Sequence, residues 1–154
     1  MIVVDSCVWI DYFNGVDSVG SEHLDKLLGV EPLAVGDLIL AEVLQGFRSD
    51  ADYRTARELM TSLTVLDMLG QRLAIQSAEN YRSLRARGVT VRRTVDVIIS
   101  TCCIEHGLPL LFEGKDFVPY VRYLGLKESS VLRSPRGRRR EYDRIRPFEL
   151  SIRR

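Results

Sequence analysis

Met1-Ile2-Val3-Val4-Asp5-Ser6-Cys7-Val8-Trp9-Ile10-Asp11-Tyr12-Phe13 is the stretch from which the rest of the chain is read. An apolar run that stops at an acid, followed by Ser6 and an apolar-periodic segment, predicts a buried strand passing straight into a helix. Asp5 then stands at the carboxyl end of that strand. Ligands of open α/β sheets bind at this edge, so a carboxylate there is a candidate for chemistry. The plainer role for Asp5 is to cap the following helix through a side-chain oxygen. What separates the two is whether other carboxylates arrive at the same edge.

The same pattern recurs downstream. Asn14-Gly15 signals a turn, and Gly20-Ser21 precedes an amphipathic segment with Leu24, Leu27 and Leu28 at helical spacing. His23 lies in this segment without a second ligand nearby and is expected on the surface. Pro32-Leu33-Ala34-Val35-Gly36 predicts a second buried strand, and Asp37 is expected to cap an apolar helix that ends at Gly46. Glu42 in that helix is an acid in apolar company: it is either paired or bound to a cation, or it occupies one exposed stripe. Ser49-Asp50 opens a scaffold helix packed through Tyr53, Ala56, Met60 and Leu63, and Thr64-Val65-Leu66 reads as a strand. From about Gly70 a longer helix is expected to turn Leu73, Ala74, Ala78, Tyr81 and Leu84 inward. Arg82, Arg85, Arg87, Arg92 and Arg93 place five arginines within twelve residues, which suits a solvated face and a phosphate-binding one equally.

Thr94 to Ile104 predicts a largely apolar helix that ends at His106-Gly107, with Asp96 in its first turn, where the helix dipole alone would favour an acid. Cys102 and Cys103 fall on different faces and read as buried, inert thiols. Pro109-Leu110-Leu111-Phe112 is a further short strand running into Glu113-Gly114-Lys115-Asp116, and a helical piece with Tyr120 ends near Leu124-Gly125-Leu126. Strands alternating with helices predict a three-layer α/β/α domain, a short parallel sheet flanked by helices.

With 154 residues, 45% hydrophobic and 28% charged, the chain can bury a core and is not disordered overall. Acids interrupt the first apolar run and no basic region precedes it, so no signal peptide is expected, and no stretch is apolar for long enough to suggest a membrane span. Three cysteines, two of them adjacent, do not make a disulfide framework, which points to a cytoplasmic setting. The net charge of +1 hides an asymmetry. Residues 1–126 hold 12 Lys and Arg against 17 Asp and Glu, whereas residues 127–154 hold 10 against 4. The expected organisation is therefore an acidic folded domain, 1–126, and a basic, flexible tail, 127–154, of the kind that contacts nucleic acid or is simply solvated.

Asp5 and Asp116 follow strands, while Glu42 and Asp96 lie on helices that begin just after a strand or a loop. In a parallel sheet these positions gather at one edge. Carboxylates crowded together repel, so such a pocket takes up protons or recruits a divalent cation. With only oxygen ligands and no Cys/His set for zinc, Mg²⁺ or Mn²⁺ is the natural choice, and a carboxylate-held metal suits phosphodiester hydrolysis.

Met1-Ile2-Val3-Val4-Asp5-Ser6, Ala41-Glu42-Val43-Leu44-Gln45-Gly46, Thr94-Val95-Asp96-Val97-Ile98-Ile99 and His106-Gly107-Leu108-Pro109-Leu110-Leu111 through Asp116-Phe117 together resemble the PIN domain, and more narrowly the VapC-type toxins of toxin-antitoxin systems. The resemblance spans roughly residues 1–126. It implies a Mg²⁺- or Mn²⁺-dependent endoribonuclease toxin, usually a homodimer, silenced by a VapB-type antitoxin. By motif, Asp5, Glu42 and Asp96 fall on the family's acidic positions and Asp116 is the candidate fourth catalytic and metal-binding acid. Ser6 and Thr94 become supporting residues, and Arg85, Arg87, Arg92 and Arg93 become candidate RNA contacts. One departure is Gly114, where the family commonly has an acid. It leaves open a catalytically impaired relative that acts by binding antitoxin or RNA. A phosphotransferase using Asp5 as nucleophile would want a second acid where Cys7 stands.

Overall fold

In the computed structural model, described here for residues 1–129, strands and helices alternate. The elements are β1 (Ile2–Val4), α1 (Ser6–Phe13), α2 (Val19–Leu27), β2 (Leu33–Gly36), α3 (Asp37–Leu44), α4 (Asp50–Thr61), β3 (Thr64–Leu66), α5 (Gln71–Ala86), α6 (Thr94–Glu105), β4 (Leu110–Leu111) and α7 (Val118–Leu124). The sheet order is β3-β2-β1-β4 and every pairing is parallel, so β1 lies inside the sheet. Strands covered on both faces read as continuous apolar runs, and Val3, Val4, Ala34 and Val35 are indeed fully buried. The edge strand β3 is the exception, with Val65 exposed. The three-layer parallel α/β expectation holds.

Past α7 the chain returns to the sheet. Leu110 N–H donates to Lys127 O and Ser129 N–H to Leu110 O, each at 2.8 Å, so residues 127–129 run beside β4. Backbone pairing thus continues beyond the charge division after Leu126. The remainder of the basic tail, residues 130–154, lies outside the described residues.

Trp9 is fully buried beneath α1, stacked on Phe13 at 5.7 Å, and Phe13 meets Phe47 edge-on at 5.5 Å. Burying aromatic side chains of this size contributes roughly 1.5–3 kcal/mol each. This apolar knot fixes α1, and with it the start of the helix at Asp5.

Four local expectations need correction. First, α2 begins at Val19 under a Ser18 cap, so Gly20 and Ser21 are inside it. Gly20 is needed there because a Cβ would stand 2.9 Å from both Val8 Cγ2 and Glu113 Cγ. Second, His23 is buried, 7% exposed, because α2 lies against the end of β4. Burial, reinforced by Lys26, lowers its pKa. Third, Asp37 is the first residue of α3 rather than its cap; its Oδ1 accepts from Leu38 N–H at 2.8 Å and from Met68 N–H at 3.1 Å. Fourth, Ala74, Ala78 and Tyr81 face outward on α5, and the buried stripe is Leu73, Ser77 and Leu84. Half-buried Asn80 donates to Thr101 Oγ1 of α6 at 2.9 Å, so polar residues mark the packed side and alanines the open one.

The junction of β2 with α3 has no spare volume. A Cβ on Gly36 would collide with Sδ, Cε and Cγ of Met68, a fully buried side chain. Gly36→Val is expected to cost about 1–3 kcal/mol of stability through overpacking, measured as a lower urea midpoint with unchanged slope.

Candidate active site

Asp5 occupies the hand-over from β1 to α1. Its N–H donates to Leu111 O at 2.9 Å, which ties it to β4, and its Oδ2 accepts from Cys7 N–H at 3.3 Å, which caps α1. The capping role read from the sequence is therefore real, yet it uses one carboxylate oxygen only. Oδ1 is buried and has no hydrogen-bond partner among the described residues. Burial pushes the Asp5 carboxyl above its ordinary value; bonds from Cys7 and Ser6 pull it back in part, and the nearby Glu42 charge raises it further. Ser6, the first residue of α1, is buried at its side.

Asp96 reaches the same edge from the first turn of α6 and is 2% exposed. Between it and Glu42 of α3 stands Arg93. Nη2 lies 2.8 Å from Asp96 Oδ1 in an ion-pair contact, Nε is 3.2 Å from Asp96 Oδ2, and Nη1 is 3.3 Å from Glu42 Oε1. Glu42 Oε2 is buried without a hydrogen-bond partner among the described residues. Desolvation still raises the Asp96 carboxyl, with Arg93 opposing and Asp5 and Asp116 adding to the rise. The Arg93 guanidinium is held more firmly protonated, chiefly by its bond to Asp96, with Glu42 and Asp5 contributing.

Asp116 is exposed on the loop after β4 and borders a cleft of about 220 Å³ together with Thr90, Arg92, Asp96, Lys115 and Tyr120. Glu113, the other acid of this loop, is directed away and accepts from Gly20 N–H at the start of α2. Gly114 between them has φ 88°, and a Cβ there would meet nothing within 4 Å. This left-handed residue, which glycine adopts without penalty, divides the loop between its two acids.

The structure thus brings Asp5, Glu42 and Asp96 together and sets Asp116 at their rim. Thr94 is exposed at the start of α6. Arg92 borders the cleft, whereas Arg85 and Arg87 are exposed near the end of α5, with Arg87 bonded to Ser83 and 5.9 Å above the Tyr123 ring. Lys115 and Tyr120 escaped the sequence reading, as did the pairing of Arg93. The signal for Tyr120 was present: a buried tyrosine needs a partner for its hydroxyl.

Among the described residues no three His, Cys, Asp or Glu side chains converge as a ready metal cage, and Arg93 supplies a countercharge between Glu42 and Asp96. The donor set nonetheless suits a hard divalent cation. All its atoms are carboxylate oxygens, and two of them, Asp5 Oδ1 and Glu42 Oε2, are buried without a partner.

A parallel α/β sheet with buried acids at its carboxyl edge defines a class of carboxylate-site domains. A PIN domain family model matches residues 2–121. A VapC ribonuclease from Mycobacterium bovis and ribonuclease VapC11 from Mycobacterium tuberculosis are each 31% identical over 135 residues, covering 84% of this chain and 98% of the relative. The fold is shared with VapBC2 from Rickettsia felis, solved bound to a promoter DNA fragment (TM-score 0.65, 16% identity, 83% of this chain and 97% of that one), and with a toxin-antitoxin complex from Klebsiella pneumoniae (TM-score 0.61, 19% identity, 76% and 90%). The chain belongs to the PIN domain family, in its VapC branch.

The raised Asp5 carboxyl has a consequence for stability. Below its ordinary value of 3.8 both the folded and unfolded chains carry the proton; as pH rises the unfolded chain ionises first, so stability is lost up to the folded pKa. Asn keeps the helix cap and removes the buried charge. In chelator, Asp5→Asn is expected to melt higher than the parent at pH 7, with the gap closing as pH falls towards 4. A lower Tm at pH 7 would mean that the carboxylate is stabilised from within the chain.

Proposed function

We propose that this chain is a divalent-metal-dependent endoribonuclease, the toxin of a two-protein module in which a VapB-type antitoxin silences it. One observation carries the reading: buried Asp5 and Asp96 and half-buried Glu42 meet at the carboxyl edge of a PIN sheet, with Asp5 Oδ1 and Glu42 Oε2 unpartnered among the described residues. The description of the relatives as ribonucleases and of the structural neighbours as toxin-antitoxin complexes supports it. The same descriptions give the binding-only alternative no support.

Asp5, Glu42 and Asp96 would hold Mg²⁺ or Mn²⁺, with Asp116 at the rim. The bound cation would supply an activated water and charge stabilisation for phosphodiester hydrolysis. The protein's own part is to keep these carboxylates at one edge, to hold Asp5 and Asp96 in a desolvated setting where their charge is costly, and to offer Arg92 and Lys115 to the RNA backbone. Ser6 and Thr94 support the first and third acids from the starts of α1 and α6. Arg93 serves as the internal countercharge when no cation is bound; once released from Glu42 and Asp96 its guanidinium is free for phosphate. The homodimer follows from the family reading, and the exposed Ile75 and Tyr81 of α5 offer apolar surface for a second copy. Cys7, Cys102 and Cys103 are free thiols, in keeping with a cytoplasmic setting, and no described helix is long and apolar enough to cross a membrane.

Cleavage of a mixed RNA substrate is expected with Mg²⁺ or Mn²⁺ and not with chelator, and Asp5→Asn or Asp96→Asn should each lower it by about a hundredfold or more. Undiminished cutting in chelator, or none with either metal, sinks the reading. Asp116→Asn should cost about tenfold, consistent with a rim position, while Gly114→Asp changes the rate little. A separate measurement addresses Arg93. Titration of Mn²⁺ by calorimetry should show tighter binding to Arg93→Gln than to Arg92→Gln. The two variants lose equal charge a residue apart, so equal affinities would reduce the Arg93 pairing to general electrostatics.

A further inference from the structure

Tyr120, on α7, is 1% exposed, and its ring lies against Phe117 with centroids 6.2 Å apart. Its hydroxyl is buried and has no hydrogen-bond partner among the described residues, yet the side chain lines the cleft that holds Asp96 and Asp116. A phenylalanine would pack there equally well, so the hydroxyl is a net liability to the described fold unless something beyond the described residues satisfies it. The surroundings restrict what that can be. Burial and the charges of Asp96 and Asp116 raise the phenol's pKa, so it stays protonated and able to donate. An anionic oxygen at this point would face two carboxylates. A neutral hydroxyl fits better, because it can accept from Tyr120 and donate to a carboxylate of Asp116. Arg92 and Lys115, both exposed on the same cleft, provide positive charge for neighbouring anions. A neutral hydroxyl flanked by two phosphates is what a ribose in an RNA strand presents, and the 2′-hydroxyl is absent from DNA.

We propose that the cleft seats one ribose of the RNA strand and that Tyr120, with Asp116, reads its 2′-hydroxyl, making Tyr120 a residue that selects RNA over DNA. This deepens the ribonuclease reading and rests on it. A bound water could satisfy the same two groups, and it would do so whichever nucleic acid is present.

The test uses the full chain in chelator, with fluorescence anisotropy on a single-stranded RNA and the DNA of the same sequence. Tyr120→Phe is expected to weaken RNA binding roughly five- to tenfold, to leave DNA binding within about twofold, and not to lower the Tm, since the deleted hydroxyl had no partner. In the parent protein, a single 2′-deoxy substitution at one position of the RNA should reproduce the loss, and the same substitution should have no further effect on Tyr120→Phe. An unchanged RNA-to-DNA ratio, or equal losses for both, overturns the proposal and leaves water as the partner of the hydroxyl; a drop in Tm overturns it in favour of a structural role. Metal-dependent cleavage by the parent protein, measured alongside, separates failure of this subsite from failure of the ribonuclease reading.

Discussion

Asp5 receives its position from three directions at once. β1 carries it to the sheet edge, its N–H is bonded to Leu111 of β4, and its side chain caps α1 through Cys7 N–H. Because β1 lies inside the sheet, the helix that follows β2 and the loop that follows β4 both arrive at the edge where Asp5 stands. Glu42 comes from the first and Asp116 from the second. The stacking of Trp9 on Phe13 beneath α1 holds this arrangement in place, so the apolar core and the acidic edge depend on the same few residues.

Burying carboxylates destabilises the folded chain, and the protein manages that cost with Arg93. One guanidinium, contacting Glu42 on α3 and Asp96 on α6, cross-links two helices and neutralises part of the repulsion. Arg93 and Glu42 are both partly exposed, so the pair gives modest stability. A buried, permanent ion pair would have made the acids inert.

The loop after β4 shows how a backbone choice partitions charge. Gly114 turns through a left-handed conformation, after which Glu113 serves the N-terminus of α2 and Asp116 faces the cleft with Asp96. Read along the sequence, the two acids are interchangeable neighbours. In the fold one is a structural anchor and the other borders the site. Tyr120, a turn further on, borders the same cleft, so the short α7 contributes both to the core and to the surface that would meet a substrate.

The layered parallel fold was legible along the chain, since strands buried on both faces must be short continuous apolar runs, and so was the place of Asp5 at the end of one of them. The sequence also singled out Glu42 and Asp96, because an acid in a largely apolar helix has few places to go. Those inferences work because periodicity and capping act over a few residues. The burial of His23, the inward turn of Ser77 rather than Ala78 on α5, and the pairing of Arg93 with Glu42 emerge from packing between distant elements. Each of these depends on what another element brings up against the residue: 51 positions separate Arg93 from Glu42 and 93 separate Gly20 from Glu113. At that separation no local rule chooses the partner; the choice is made by which side chains the packed layers leave within reach.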